Sequence, residues 1–334
     1  MDKESQFFLR QNTSIQTNKK LTQKSKRRLQ KTKAENTLKA YEADWRDFAF
    51  WCNNNHLDVL PAEPETIVNY LNDLADHAKA NTVSRRLSAI SENHIAAGFA
   101  EDNPTRSPLV KGAIEGIRRE KGTMQRGKMP ILAEDIADFS TLFAADDIIA
   151  NRDKALLLLG FAGAFRRSEL VSLRYEDLTF TREGLIILLA HSKGDQLGEG
   201  SYVAIPYNND RSICAVTAVR NWLNVSQIKN GPLFRPFKKN KTLRDMQLSD
   251  KSVALIVKKY AELSGLDKKD FAGHSLRRGF ATSAAQHDVD ELSIMRQTRH
   301  KSEKMVRRYI EQGDMFKYNP LKKMFNQNRN NEPG

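Results

Sequence analysis

A chain of 334 residues has room for two domains with ordinary cores, and its 54 Lys and Arg against 41 Asp and Glu give a formal net charge of +13 that favours a polyanionic partner over a merely soluble basic surface. Cys52 and Cys214 lie far apart beside apolar residues, which excludes a disulfide framework or CxxC metal ribbon and predicts buried reduced thiols. The opening MDKESQFFLR lacks a signal-peptide core, and the longest apolar run, 155–165, is too short to span a bilayer, so a cytoplasmic, nucleoid-associated protein with no membrane partner is expected.

In chain order, residues 1–36 are rich in Lys, Arg, Gln, Thr and Asn and poor in large apolar groups, the composition of a basic flexible arm. It either follows DNA phosphates or remains a solvated tail. From Thr37, the residues Leu38, Tyr41, Trp45, Phe48, Ala49 and Cys52 keep to one helical face, and the pattern stops at Asn53 to Asn55. Pro61 and Pro64 mark a connection. Ile67, Val68, Leu71, Leu74 and Ala75 then predict a second helix, and Val83, Leu87, Ile90 and Ile95 a third over 81–97. A fourth is expected within 103–120. Residues 37–120 therefore read as a helical bundle. Ser84, Arg85 and Arg86 fall on the face of the third helix away from Leu87. They are candidate DNA contacts in a major groove, with a solvated basic face as the alternative.

Residues 121–130, KGTMQRGKMP, have the composition of a linker, and a basic linker between two basic domains suits a clamp around a duplex. The second domain, 131–334, starts with a helix over 132–143. A long apolar helix is predicted over 155–173, its pattern broken by Arg166-Arg167-Ser168-Glu169. Two arginines at a buried helix end require an anion or an acid, and Glu169 can serve one of them. Residues 185–189 and 202–205 alternate as strands around the Gly-rich turn HSKGDQLGEGS, which carries Lys193. Further helices are expected over 215–223 and 249–264, the second capped at Ser249. The fold class is mainly α with one small β-sheet (α+β).

Near the C-terminus, GHSLRRGFAT places His274 and Arg277 three residues apart, and RHKSEKMVRRYI places Tyr309 nine residues after His300. Residues i and i+3 share a helical face, so His274 and Arg277 can address one anion. Ser302 is a suitable N-cap for a short helix with Met305, Val306 and Tyr309 inward. A basic pair, a second imidazole and a phenol together suggest phosphate chemistry with a tyrosine nucleophile.

In order, AFRRSEL, HSKGDQ, GHSLRRGFAT and RHKSEKMVRRYI resemble the boxes of the tyrosine recombinases, the phage integrase family. LPAEPETIVNYLNDL and NTVSRRLSAI resemble the helical DNA-binding domain of its Cre-like members. Each box is weak alone, and the ordered set is specific. The resemblance implies an N-terminal helical DNA-binding domain followed by a catalytic domain with Arg166, Lys193, His274, Arg277, His300 and Tyr309 as catalytic residues. Glu169 would support the arginines. Tyr309 would form a covalent 3′-phosphotyrosyl bond, His274 would accept or position its proton, Lys193 would protonate the leaving 5′ oxygen, and no metal or other cofactor would be needed. The partner would be double-stranded DNA, with four protomers assembled on two sites through a Holliday junction; accessory proteins are not specified. Two departures stand out: Arg299 replaces the family's usual Gly, and His300 stands where Cre-type proteins carry Trp. A type IB topoisomerase and a silent DNA-binding protein are the alternatives.

Overall fold

The computed structural model describes residues 35–122, 124, 127–190, 200–300, 302–314, 320, 321 and 324, and the chain divides into two compact units, Met1–Arg126 and Gly127–Gly334. The expected arm over 1–36 lies almost wholly outside the described residues, as does the Lys193 turn.

Among the described residues the first unit holds four α-helices: α1 Glu35–Asn54, α2 Pro64–His77, α3 Ala80–Ala96 and α4 Pro108–Lys121. Proline in the first turn of α2 and α4 lacks only an N–H that helix starts leave unpaired. Ser107 caps α4 by accepting from the Val110 N–H at 3.2 Å. The core joins Trp45, Phe48 and Cys52 to Ile67, Tyr70, Leu71 and Leu74, to Val83 and Ile90, and to Val110, Ile114 and Ile117. The apolar period misreads the end of α3. Ile95 is only half-buried, while Asn93 and His94 are fully enclosed. His94 Nε2 accepts the Ala62 N–H at 3.0 Å and Nδ1 lies 2.9 Å from the Ile90 carbonyl, so both ring nitrogens are satisfied. Burial holds this ring below the usual histidine range, and it stays neutral.

The second unit is built on α5 Ala133–Ser140, α6 Ile148–Ala162, α7 Arg167–Ser172, strands β1 Leu178–Phe180, β2 Gly184–Leu189 and β3 Ser201–Pro206, and helices α8 Ala215–Ser226, α9 Asp250–Leu263, α10 Ser275–Gln286, α11 Glu291–Thr298 and α12 Glu303–Asp314. The sheet order is β1-β2-β3, antiparallel throughout. Leu185 pairs with Ile205 and Ile187 with Val203, and these side chains face the core. β1 escaped the sequence reading because three residues are too few to show an alternation.

The single helix expected over 155–173 is two. α6 has six consecutive buried residues, Ala155 to Gly160, and stops at Ala162. The chain then turns through Gly163 and through Ala164, which is left-handed at φ 45°, and α7 restarts at Arg167. A Cβ on Gly163 would fall 2.1 Å from the Phe165 ring, so the turn is shaped for glycine. Ahead of α5, the segment 127–131 lies along α10. Met129 N–H donates to Asp270 O (2.7 Å) and Ile131 N–H to Ser275 O (3.0 Å). Gly279 permits this approach, since a Cβ there would sit 1.6 Å from the Ile131 carbonyl oxygen. Cys52 and Cys214 are both buried and unbridged. Among the described residues no helix is long and apolar enough to cross a membrane.

Candidate active site

Three stretches of the second unit converge on one buried carboxylate. Arg166 is the N-cap of α7, and Glu169, three residues on, reaches back to accept its N–H at 2.9 Å. The same carboxylate accepts Arg166 Nη1 at 2.5 Å and Arg299 Nη2 at 3.2 Å. Burial alone would raise Glu169, but the Arg166 N–H, the Arg166 guanidinium and Arg299 together hold it below the usual carboxylate range. The Arg–Glu pair inferred from AFRRSEL is therefore present, with a second arginine added.

Arg277 enters from the first turn of α10. It is 4% exposed, and its Nη1 donates to the Ala164 carbonyl at 2.7 Å. Its Nη2 is buried with no hydrogen-bond partner among the described residues. Burial, then the Arg166 and Arg299 charges, push Arg277 down to about 9, which leaves it protonated at neutral pH. His274, at the N-cap of the same helix, is exposed. The two residues share a helix end at different depths, so the common face expected from their spacing is only partly realised.

His300 is buried behind the end of α11. Thr298 Oγ1 lies 2.7 Å from both the Ile294 carbonyl and His300 Nδ1. A carbonyl can only accept, so the single hydroxyl hydrogen goes to Ile294 and the imidazole Nδ1–H donates to Thr298. Nε2 is then the bare, accepting nitrogen. Burial, followed by Arg277, Arg166 and Arg299, holds this ring down at about 4, so it is neutral at physiological pH. The ring against Tyr309 is that of His300, with centroids 5.8 Å apart and planes at 33°. Tyr309 and Ile310 pack on Ala281, Ala285, Ile294 and Val306. Val306 is fully buried, but Met305, expected inward, is 52% exposed because the α12 seam runs through 306, 309 and 310.

A protein-family model, Phage integrase family, matches residues 135–314, and a second, the family's N-terminal SAM-like domain, matches 26–94. An integrase/recombinase XerD homolog of Selenomonas ruminantium is 63% identical over 321 residues, covering 96% of this chain and 94% of that protein. The chain belongs to the phage integrase family. It is a site-specific tyrosine recombinase, an enzyme that cuts and rejoins DNA strands. Similarity to Cre recombinase of Escherichia phage P1 is lower, 26% over 296 residues, covering 83% of this chain and 84% of that one. The XerH recombinase, solved bound to a palindromic difH substrate after cleavage, shares the fold, with a TM-score of 0.65 at 17% identity over 96% of this chain and 93% of its own.

In this family member, Arg166, Glu169, Arg277, His300 and Tyr309 form one cluster, and His274 stands at the exposed end of α10. Lys193 lies outside the described residues. In the sequence Arg299 stands out only as a departure, and Thr298 carries no signal. The signal for Arg299 was the family's usual glycine, because that position is left-handed (φ 55°, ψ 42°). Ser84, Arg85 and Arg86 belong to the other unit. There Arg85 pairs with Asp44, and Arg86 pairs with Asp44 and Asp47 and donates to Tyr70 Oη at 2.7 Å. Ser84 Oγ accepts Arg118 Nη2 at 3.1 Å and donates to Ala80 O at 2.9 Å. These three are tied into the bundle by contacts that the solvated-face and groove-contact readings both lacked.

Proposed function

We propose that Tyr309 attacks a DNA phosphodiester held by Arg166 and Arg277. The phenolic oxygen forms a bond to phosphorus, the P–O5′ bond breaks, and the strand is left as a 3′-phosphotyrosyl ester and a 5′-hydroxyl. Nucleophile and substrate are both anionic or become so, and donors preset around the phosphate stabilise the more negative five-coordinate transition state. The single observation that carries this reading is Arg277 Nη2, a charged donor buried with no hydrogen-bond partner among the described residues, beside two further guanidiniums and one carboxylate. A buried guanidinium N–H left unpaired is costly, and an anionic oxygen satisfies it.

The phenol must lose its proton in the attack. His300 Nε2 is a neutral acceptor next to the Tyr309 ring, and His274 at the start of α10 is the second imidazole available. Lys193 supplies the proton to the departing 5′ oxygen. Attack of a 5′-hydroxyl from another strand reverses the step and rejoins the DNA, with no metal or nucleotide consumed. Two duplexes and four strand cuts imply four protomers and a Holliday junction. The unit that ends at Arg126 binds the duplex, with the 1–36 arm, the 37–120 bundle and the 121–130 linker preceding a catalytic domain over 131–334. The protein acts in the cytoplasm on nucleoid DNA.

The test is covalent trapping on sheared host chromosomal and plasmid DNA, followed by sequencing of the attached ends. Wild type gives a protein–DNA adduct at defined sequences, and Tyr309→Phe gives none while still binding DNA. Undiminished adduct in Tyr309→Phe would reject the assignment.

A further inference from the structure

Two non-glycine residues with left-handed backbone meet at this site. Ala164 has φ 45° and Arg299 has φ 55°. Side chains make that conformation unfavourable unless the surroundings enforce it. Here the enforcing contacts are made by the residue that carries the strain. Arg299 Nη1 donates to the Gly163 carbonyl (3.0 Å) and to Gln297 O (2.7 Å), and Nη2 donates to Ala164 O (3.2 Å) and Glu169 Oε2 (3.2 Å). The guanidinium also lies over the Phe165 ring, 5.1 Å from its centroid. Gln297, two residues earlier, donates to the Ala162 carbonyl at 2.8 Å. The carbonyls of Ala162, which ends α6, and of Gly163 and Ala164 after it are thus met by side chains from 297–299. The last of them is shared with Arg277 at 2.7 Å.

We propose that Arg299 is a positioning residue for strand cleavage. Its guanidinium fastens the 162–164 turn, which leads into Arg166, to the segment that ends in His300. It also takes part of the Glu169 charge, so that Arg166 and Arg277 keep their net positive charge for the phosphate. Glycine at this position would supply the backbone conformation and none of these contacts. With Arg299 the described cluster holds three guanidiniums against one carboxylate; without it, two.

The consequence is electrostatic as well as structural. The charged and titratable groups facing His300 are Arg277 from α10, Arg166 and Glu169 from the start of α7, and Arg299 from its own strand of chain, with the Tyr309 phenol from α12 against the ring. Removing one of three cations eases protonation of the imidazole. Glu169, left with Arg166 alone, keeps its negative charge nearby, which acts in the same direction.

This inference rests on the reading of Arg166 and Arg277 as the phosphate site with His300 beside Tyr309, and the experiment separates the two. Full-length protein labelled with carbon-13 at histidine Cε1 is titrated by NMR, with the His300 signal assigned by its loss in His300→Gln. Adduct formation on sheared chromosomal DNA is timed in parallel. In Arg299→Met, which keeps the backbone strain and length, His300 should titrate about one pH unit higher and adduct should form about tenfold more slowly. Arg299→Lys should restore the low titration and part of the rate. Arg299→Gly relieves the strain and is the variant best able to fold, yet it should be as slow as Arg299→Met. If folded Arg299→Gly matches wild type in both rate and His300 titration, the positioning role is overturned. If wild type itself makes no adduct, the phosphate-site reading fails, and the His300 titration alone still decides what Arg299 does.

Discussion

The imidazole of His300 shows how much a single side chain depends on what surrounds it. Alone, a histidine titrates near 6.5; here burial and three arginines hold it at about 4. The folded protein therefore prefers the neutral ring, and the unfolded chain binds an extra proton between those two values. The stability from this group is complete above pH 6.5 and is lost as pH falls toward 4, on the order of 3 kcal/mol at most. His300→Gln should accordingly flatten the loss of stability across pH 6.5 to 4, measured by denaturant titrations of wild type and variant at each pH. An unchanged slope would mean that the ring is not held neutral. Tyr309 and His300 were both legible from RHKSEKMVRRYI, because a phenol nine residues after an imidazole is a sparse pattern. The Thr298 hydrogen bond that fixes the ring tautomer was not, since a threonine before an arginine has no distinctive spacing.

At the level of the helix, the decisive feature is the stop between α6 and α7. Apolar residues on both sides of Arg166 to Glu169 predict one helix over 155–173, but hydrophobicity reports burial and not where a backbone turns. Gly163 and the left-handed Ala164 end α6, so that Arg166 becomes the first cap of α7 with Glu169 behind it. The close contact between the 127–131 segment and α10 works the same way. Gly279→Ala would drive a methyl group into the Ile131 carbonyl. Backbone must shift to relieve it, and the expected cost is about 2–4 kcal/mol. Thermal melting of the full-length variant checks this, and a melting temperature equal to wild type would show that the segment moves away freely. Arg85 and Arg86 give the converse lesson. As basic letters on a polar face they suggest DNA, while their carboxylate partners Asp44 and Asp47 come from α1, about forty positions away, where no local pattern could announce them.

For the whole molecule, the relevant quantity is the net charge of +13. Binding that neutralises phosphates releases counterions, so the logarithm of DNA affinity should fall linearly with the logarithm of salt concentration, losing on the order of a thousandfold or more between 50 and 200 mM if six or more phosphates are contacted. Fluorescence anisotropy with a labelled duplex of random sequence measures this, and a flat response would contradict binding built on phosphate contacts. The overall class, helices with one small sheet, was readable from the periods of long amphipathic stretches, as were the buried Cys52 and Cys214.

The sequence by itself determined which groups are available: the ordered boxes, a phenol, two imidazoles and two arginines within them, and a chain of net charge +13. Only the tertiary structure decided how these groups act on one another. It assigned Glu169 two arginines and Arg299 the task of closing a turn more than a hundred residues away, and it set His300 neutral against Tyr309. The physical reason is that residue types are local, whereas burial, shared carbonyls and the summed field of several charges exist only once distant segments are brought within a few ångströms.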